Sequence, residues 1–208
     1  MEITAQMVKD LRAATGAGPL DCKKALQDNG GDIEKALEFL KEKGLARANK
    51  KLSAGRTMNE GRIETYAHFN QRLGVMVEVN CETDFVADTE AFKQFCHDVA
   101  LHIANMAPEY IRREDVPAEA IEAERDLQKR RAMEEGKPEE IAEKMVEGRL
   151  NKWYEEIVLM EQAFIKDDNK TISELLKEVV AEVGESMQIS RFARFALGET
   201  TAEDDDAE

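Results

Sequence analysis

Apolar residues in the first part of the chain recur with the period of an α-helix. Val8 and Leu11 fall on one face of a first segment, and two more segments with the same spacing follow. Glycine-rich turns separate the three segments. Pro19 suits the first turn of the second helix, because that position needs no backbone N–H donor. The pattern predicts a three-helix bundle over residues 1–45, with the third helix ending at Gly44.

Residues 46–59 are rich in Lys, Ala and Ser and show no clear period, so we interpret them as a linker. Cationic residues gather in and just before this stretch. They are Lys41, Lys43, Arg47, Lys50, Lys51 and Arg56. Such a run predicts either a basic patch or a solvated face followed by a linker, and the second interpretation is favoured.

Beyond the linker the apolar positions alternate with a period of two, which is typical of β-strands. Residues 61–69 and 73–81 alternate on either side of a short polar turn and predict a hairpin. Residues 187–197 alternate in the same way and predict a third strand. Helical periods lie between the hairpin and this strand. We therefore expect an α+β core over residues 60–198, in which a small three-stranded antiparallel sheet packs against helices.

Two further segments differ from this core in composition. Residues 117–154 are highly charged and helix-forming, with a Gly-Lys-Pro break, and predict a projecting helical hairpin. Residues 199–208 are mostly acidic, so we expect a disordered tail that does not join the fold.

The net charge of −15 over 208 residues argues against direct binding to nucleic acid, since phosphates would be repelled. Three cysteines without regular spacing, Cys22, Cys81 and Cys96, predict no disulfide framework and indicate a reducing compartment. The N-terminus lacks the pattern of a signal peptide, and no apolar run is long enough for a membrane helix. We expect a cytoplasmic protein that does not enter membranes.

We find no pattern of catalytic residues. The glycines near the N-terminus lack the Lys-Ser/Thr pair of a phosphate-binding loop. Candidate metal ligands do occur, but their spacing matches no zinc site. They are Cys81, Glu82, Asp84, Cys96 and His97. We therefore expect no enzyme activity, no metal and no cofactor. A metal hydrolase using Cys81, Asp84 and His97 is a rival hypothesis.

The segment after the second strand, residues 80–86, allows two interpretations. Alternation continued from Val75 and Val79 would place Phe85 on the core face, and the pattern alone favours this. If the strand has already ended, Asp84 and Phe85 lie on a tip instead. An exposed aromatic ring on a rigid tip is typical of an interface anchor.

Four segments resemble the elongation factor Ts family, in the same order along nearly the whole chain. They are VKDLRAATGAGPLDCKKAL (8–26), NCETDFVA (80–87), KPEEIAEKMVEGRLNKWYEEIVLMEQAF (137–164) and KTISELLKE (170–178). The resemblance implies a guanine-nucleotide exchange factor for elongation factor Tu. It also implies that the N-terminal bundle has a ubiquitin-associated-like fold and docks on the nucleotide-binding domain of that partner.

The resemblance further implies which residues act. The tip, Thr83, Asp84, Phe85 and Val86, would push between helices of elongation factor Tu and disturb Mg²⁺ and phosphate binding, so that GDP leaves and GTP reloads. Secondary partner contacts would come from the bundle, at Arg12, Pro19, Leu20 and Lys23. Many relatives have two methionines in place of Pro19 and Leu20, and both versions are apolar.

The chain resembles the short form of this family, because Ala107-Pro108 leads almost directly to Glu114. Longer members carry a second sheet-containing subdomain at this point. We therefore expect a homodimer, in which each elongation factor Tu contacts two copies. The alternative is a non-enzymatic adaptor, whose three-helix module binds a ubiquitin-like or nascent-chain partner.

Overall fold

Helices and strands are mixed along the chain in the computed structural model, which describes residues 3–136 and 138–199, without the side chains of 139, 140 and 142. The helices are α1 (Ala5–Thr15), α2 (Pro19–Asp28), α3 (Ile33–Leu52), α4 (Asp84–Ala87), α5 (Glu90–Met106), α6 (Ala118–Glu134), α7 (Glu139–Ile157) and α8 (Ile172–Val183). The strands are β1 (Glu60–Ala67), β2 (Leu73–Cys81), β3 (Ala163–Phe164), β4 (Asp167–Thr171) and β5 (Met187–Ala196). The predicted α+β class is confirmed.

The chain forms two compact units, each assembled from separate stretches. The first unit contains residues 3–62, together with Val79–Phe95 and Leu176–Gln188. The second contains Ile63–Glu78, the described residues of 96–175, and residues 189–199. These units do not follow the contiguous division into 1–45 and 60–198, and that division into domains stays a prediction.

The three helices of the N-terminal bundle begin where the helical period predicts them, and side chains cap α1 and α3. The Thr4 hydroxyl accepts the N–H of Met7 at 3.2 Å, and Asp32 accepts the N–H groups of Glu34 and Lys35 at 3.1 Å. Pro19 lies in the first turn of α2. The buried residues of the bundle are Leu11, Cys22, Ala25, Leu26, Ala36 and Leu40.

The prediction that the third helix ends at Gly44 is wrong, since α3 continues to Leu52. A Cβ added at Gly44 would lie 3.5 Å from that of Ala181 in α8, so helix packing is close here. Ala48, one turn further on, is buried. This packing outweighs the low helix propensity of glycine, about 1 kcal/mol relative to alanine. Helix therefore covers residues 46–52 of the predicted linker.

The cationic run along α3 is paired within its own unit. Lys43 and Arg47 both contact the Asp21 carboxylate, at 3.0 and 3.6 Å. Lys51 donates to the carbonyl oxygen of Gly184, and Arg56 lies 2.7 Å from Glu82. Four of the six cations thus have partners on the protein, which favours the solvated face over a basic patch.

The three predicted strands form one antiparallel sheet in the order β1-β2-β5. Val75, Val77, Val79 and Cys81 of β2 are buried. On β5 the burial changes parity, because Met187 and Ile189 are buried whereas residues 191, 193 and 195 are exposed. β1 ends at Ala67, two residues earlier than predicted, and leaves Phe69 in the turn.

The side of the sheet opposite the buried valines is apolar and exposed. Ile63 is 57% exposed, Met76 52% and Phe195 73%. Arg191 and Glu78 meet on this side at 2.6 Å, whereas Glu64 of β1 points the other way and contacts His97 at 3.4 Å. We call Ile63, Met76, Ala193 and Phe195 the outer sheet face.

In the charged segment, the helices α6 and α7 lie side by side. Ion pairs join the two helices at three levels: Arg125 with Glu147 at 2.6 Å, Lys129 with Glu143 at 3.8 Å, and Arg149 with Glu135 at 2.8 Å.

None of the helices in 3–136 and 138–199 is long and apolar enough to cross a membrane. The predicted acidic tail, 199–208, lies outside the described residues except for Glu199.

His102 of α5 is buried and hydrogen-bonded as a neutral ring. Its Nε2 lies 2.9 Å from Oε1 of Gln162, and its Nδ1 accepts the N–H of Ile165 at 3.3 Å. An acceptor at Nδ1 requires the proton on Nε2, so a second proton would break a bond. Burial lowers the pKa of His102 below its ordinary value of 6.5.

This lowered pKa predicts acid sensitivity. The unfolded chain takes up a proton at His102 as the pH falls through 6.5, whereas the folded chain does so only at lower pH. The free energy of unfolding should therefore drop on acidification below that value. Urea unfolding at pH 7.5 and 5.5 should show a smaller drop for His102→Gln than for the parent. Equal drops in the two proteins would contradict the prediction.

Candidate functional site

The tip, Thr83–Val86, forms at the end of β2, where the chain turns into the one-turn helix α4. The Thr83 hydroxyl accepts the N–H of Val86 at 3.4 Å and so caps the helix. Asp84 accepts the N–H of Phe85 at 2.9 Å. These short-range bonds stop the strand and fix the direction of the turn.

Phe85 is presented on the surface, with 82% of its side chain exposed. The interpretation favoured by alternation, with Phe85 on the core face, is therefore wrong. β2 ends at Cys81 and the helical turn begins at Asp84, so the two-residue period no longer applies. Val86 takes the buried position instead and anchors the turn.

A second turn, Gly184-Glu185-Ser186, lies against the base of the tip. The Glu185 carboxylate accepts the backbone N–H of Thr83 at 3.1 Å. The Thr83 hydroxyl also donates to this carboxylate, at 2.9 and 3.1 Å from its two oxygens. Glu82 in turn accepts the N–H of Ser186 at 2.8 Å and a guanidinium proton of Arg56 at 2.7 Å. The Ser186 N–H and, after it, Arg56 lower the pKa of the Glu82 carboxyl, so it stays charged.

The sequence gives no sign of the contact between this second turn and the tip. Glu185 lies 102 residues from Thr83 along the chain, and acidic residues are abundant throughout. A helix that ends at a glycine and runs into a strand would flag a turn at 184–186. It would not indicate what that turn touches.

The candidate metal ligands do not form a metal site among the described residues, where no three His, Cys, Asp or Glu side chains are grouped for one. Cys81 is buried and donates its S–H to the Thr83 carbonyl at 3.1 Å. Burial and the nearby Glu185 carboxylate raise the pKa of the Cys81 thiol to about 11. The thiol is therefore protonated at neutral pH and is a poor ligand or nucleophile.

The four bundle residues named as secondary contacts are all exposed. Arg12 lies in the last turn of α1, and Pro19, Leu20 and Lys23 lie in the first turns of α2. Leu20 and Lys23 are three residues apart and share a helix face. The structure thus leaves an apolar and a cationic side chain available there.

Comparisons with known proteins agree with one another. The family model described as "Elongation factor TS" matches residues 6–199. The chain is 56% identical over 200 residues to elongation factor Ts of Carboxydothermus hydrogenoformans, covering 96% of this chain and 91% of that protein. It is 54% identical over 208 residues to that of Maridesulfovibrio salexigens, covering all of both chains. With so extensive a match, the chain belongs to the elongation factor Ts family.

Proposed function

We propose that the tip is the part of this protein that releases nucleotide from elongation factor Tu. As a member of its family, the chain is a guanine-nucleotide exchange factor for elongation factor Tu in translation elongation. Its site of action would be the cytoplasm, where translation takes place. No chemical step is needed, since exchange changes only which ligand is bound.

The exposure of Phe85 is the observation that carries this proposal. A large apolar ring gains free energy when a partner buries it, and a rigid base spares the entropy of ordering it. Val86, the next residue along the chain, is buried and Thr83 caps the helix, so the base is fixed. Entry of such a ring between helices of the partner would shift the groups that hold Mg²⁺. Since Mg²⁺ bridges the phosphates of a bound nucleotide, its displacement weakens nucleotide binding.

Exchange then follows from thermodynamic coupling. If the factor weakens GDP binding by some ratio, GDP weakens binding of the factor by the same ratio. Incoming GTP can therefore displace the factor and complete the cycle. The bundle, through Leu20 and Lys23 with Arg12 and Pro19, would hold the partner while the tip enters.

The role proposed for Mg²⁺ can be tested by measuring release of fluorescent GDP from elongation factor Tu with and without this protein. In excess Mg²⁺ the factor should accelerate release strongly. The acceleration is the GDP release rate with the factor divided by the rate without it. With Mg²⁺ removed by EDTA, this acceleration should be at least about tenfold smaller, because EDTA has already removed the ion that the factor would displace. EDTA saturated with Mg²⁺ is the control. An equal ratio in both conditions would contradict the Mg²⁺ mechanism.

We also propose a homodimer that uses the outer sheet face. Ile63, Met76 and Phe195 are each more than half exposed and lie on adjacent strands. Exposed apolar patches of this kind typically mark interfaces. A second copy would cover the same patch on its partner, as two-fold symmetry requires.

Light scattering tests the dimer. The parent should have twice the mass of one chain, and Phe195→Glu should give monomers, because it buries a charge in the apolar contact. Leu20→Glu introduces the same charge at an equally exposed apolar position on α2 and should remain dimeric. A monomeric parent at micromolar concentration would rule the dimer out.

A further inference from the structure

We infer that Glu185 is a positioning residue for the tip, an inference that rests on the function proposed above. Its carboxylate accepts both the N–H and the hydroxyl of Thr83, at 2.9–3.1 Å. Thr83 is the residue that caps α4, so Glu185 holds the point at which the chain turns toward Phe85. Hydrogen bonds to a charged acceptor are stronger than neutral ones.

The attachment is reciprocal, which makes it stiffer than a single contact. Glu185 reaches across to the backbone of Thr83, while Glu82 reaches back to the backbone of Ser186 at 2.8 Å. Two oppositely directed bonds between adjacent residue pairs fix both the separation and the rotation of the two turns. Neither bond involves Phe85, whose ring remains free for a partner.

The same turn is tied to the end of α3, the longest helix of the bundle. The Ser186 hydroxyl donates to the Lys51 carbonyl at 3.0 Å, and the Lys51 ammonium donates to the Gly184 carbonyl. Arg56, just beyond α3, contacts Glu82 at 2.7 Å. The turn at 184–186 therefore connects the base of the tip to the C-terminal end of α3, the last helix of the bundle. We infer that it fixes the tip in the orientation needed when the bundle is docked.

Positioning should affect the rate of release more than the affinity for the partner. A displacement of about 1 Å in a reacting geometry can cost up to about 100-fold in rate, although most contacts remain. In Glu185→Ala the ring, the bundle face and the outer sheet face are all unchanged. Only the restraint on the turn is lost.

The experiment measures GDP release from elongation factor Tu at a series of factor concentrations. Glu185→Ala should lower the maximal rate about tenfold, while the half-saturating concentration changes less than about twofold. Glu185→Gln should recover most of the rate, because its amide oxygen still accepts the N–H of Thr83. Glu182→Ala removes an exposed carboxylate three residues earlier and should behave like the parent.

Hydrogen exchange of the free protein gives a second readout. Peptides covering residues 82–88 should exchange faster in Glu185→Ala, whereas those of α1 and α2 should not change. A parental maximal rate together with parental exchange at 82–88 overturns the inference. If Glu185→Ala does not fold, Glu185→Met removes the hydrogen-bond acceptor while keeping a side chain of similar length. A parental maximal rate in that variant also overturns it.

Failure of the proposed function would look different. In that case elongation factor Tu would release GDP as fast with Phe85→Ala as with the parent, whatever the release rate with Glu185→Ala. If GDP release is slow with Phe85→Ala but normal with Glu185→Ala, the positioning role of Glu185 is contradicted and the proposed function is not.

Discussion

Phe85→Ala should slow GDP release from elongation factor Tu by about 100-fold and leave the protein folded. The ring is 82% exposed, so its removal costs little internal packing. In the complex the same ring would be a central anchor, and truncation of such anchors costs about 2–4 kcal/mol. A loss of about 2.7 kcal/mol corresponds to 100-fold. Stopped-flow fluorescence of labelled GDP measures the rate.

Phe69→Ala provides a matched control, since Phe69 is 88% exposed in the turn between β1 and β2. It should release GDP at the parental rate. The midpoint temperatures of thermal unfolding of both variants should lie close to that of the parent. If Phe85→Ala unfolds while a folded variant lacking the ring still exchanges, the ring is structural and the proposed role of the tip is wrong.

Gly61→Ala should destabilise the fold strongly, although it adds only one methyl group. A Cβ there would lie 2.2 Å from the Val79 carbonyl oxygen and 2.7 Å from the Cα of Asn80. Both are backbone atoms of the neighbouring strand, so neither can rotate away. The φ of Gly61 is also +146°, which side chains rarely adopt. We expect a loss of about 3 kcal/mol or more in the free energy of unfolding.

Urea unfolding monitored by circular dichroism measures this loss. Gly148→Ala is the matched control, because Gly148 lies within α7 and an added Cβ would meet nothing within 4 Å. Alanine is the better helix former, so this variant should gain about 0.5–1 kcal/mol. Equal stabilities of the two variants would show that β1 can move away from β2 without penalty.

Patterns along the chain predict most helices and strands, because their formation depends on interactions between residues that are near one another in sequence. Helical spacing locates α1 and α2, and alternation locates β1, β2 and β5 to within two residues. α3 was predicted too short, because Gly44 is unfavourable locally and its compensating contact with Ala181 comes from far along the chain.

The candidate site was harder to predict from pattern for the same reason. Alternation placed Phe85 in the core, because a period carries no information about where the strand stops. Capping by Thr83 stops it, and threonine is common in strands as well as at caps. The family resemblance identified the tip, whereas the contact between Thr83 and Glu185 is visible only in three dimensions.

The burial of all three cysteines makes this protein convenient for site-directed labelling. Cys22, Cys81 and Cys96 are inaccessible, and Cys81 in addition titrates far above neutral pH. A thiol introduced on the surface, for example by Asn70→Cys, would therefore react much faster than any native one. Dyes could be attached at chosen positions without first removing the native cysteines. Distances between factor and partner could then be followed through an exchange cycle by energy transfer.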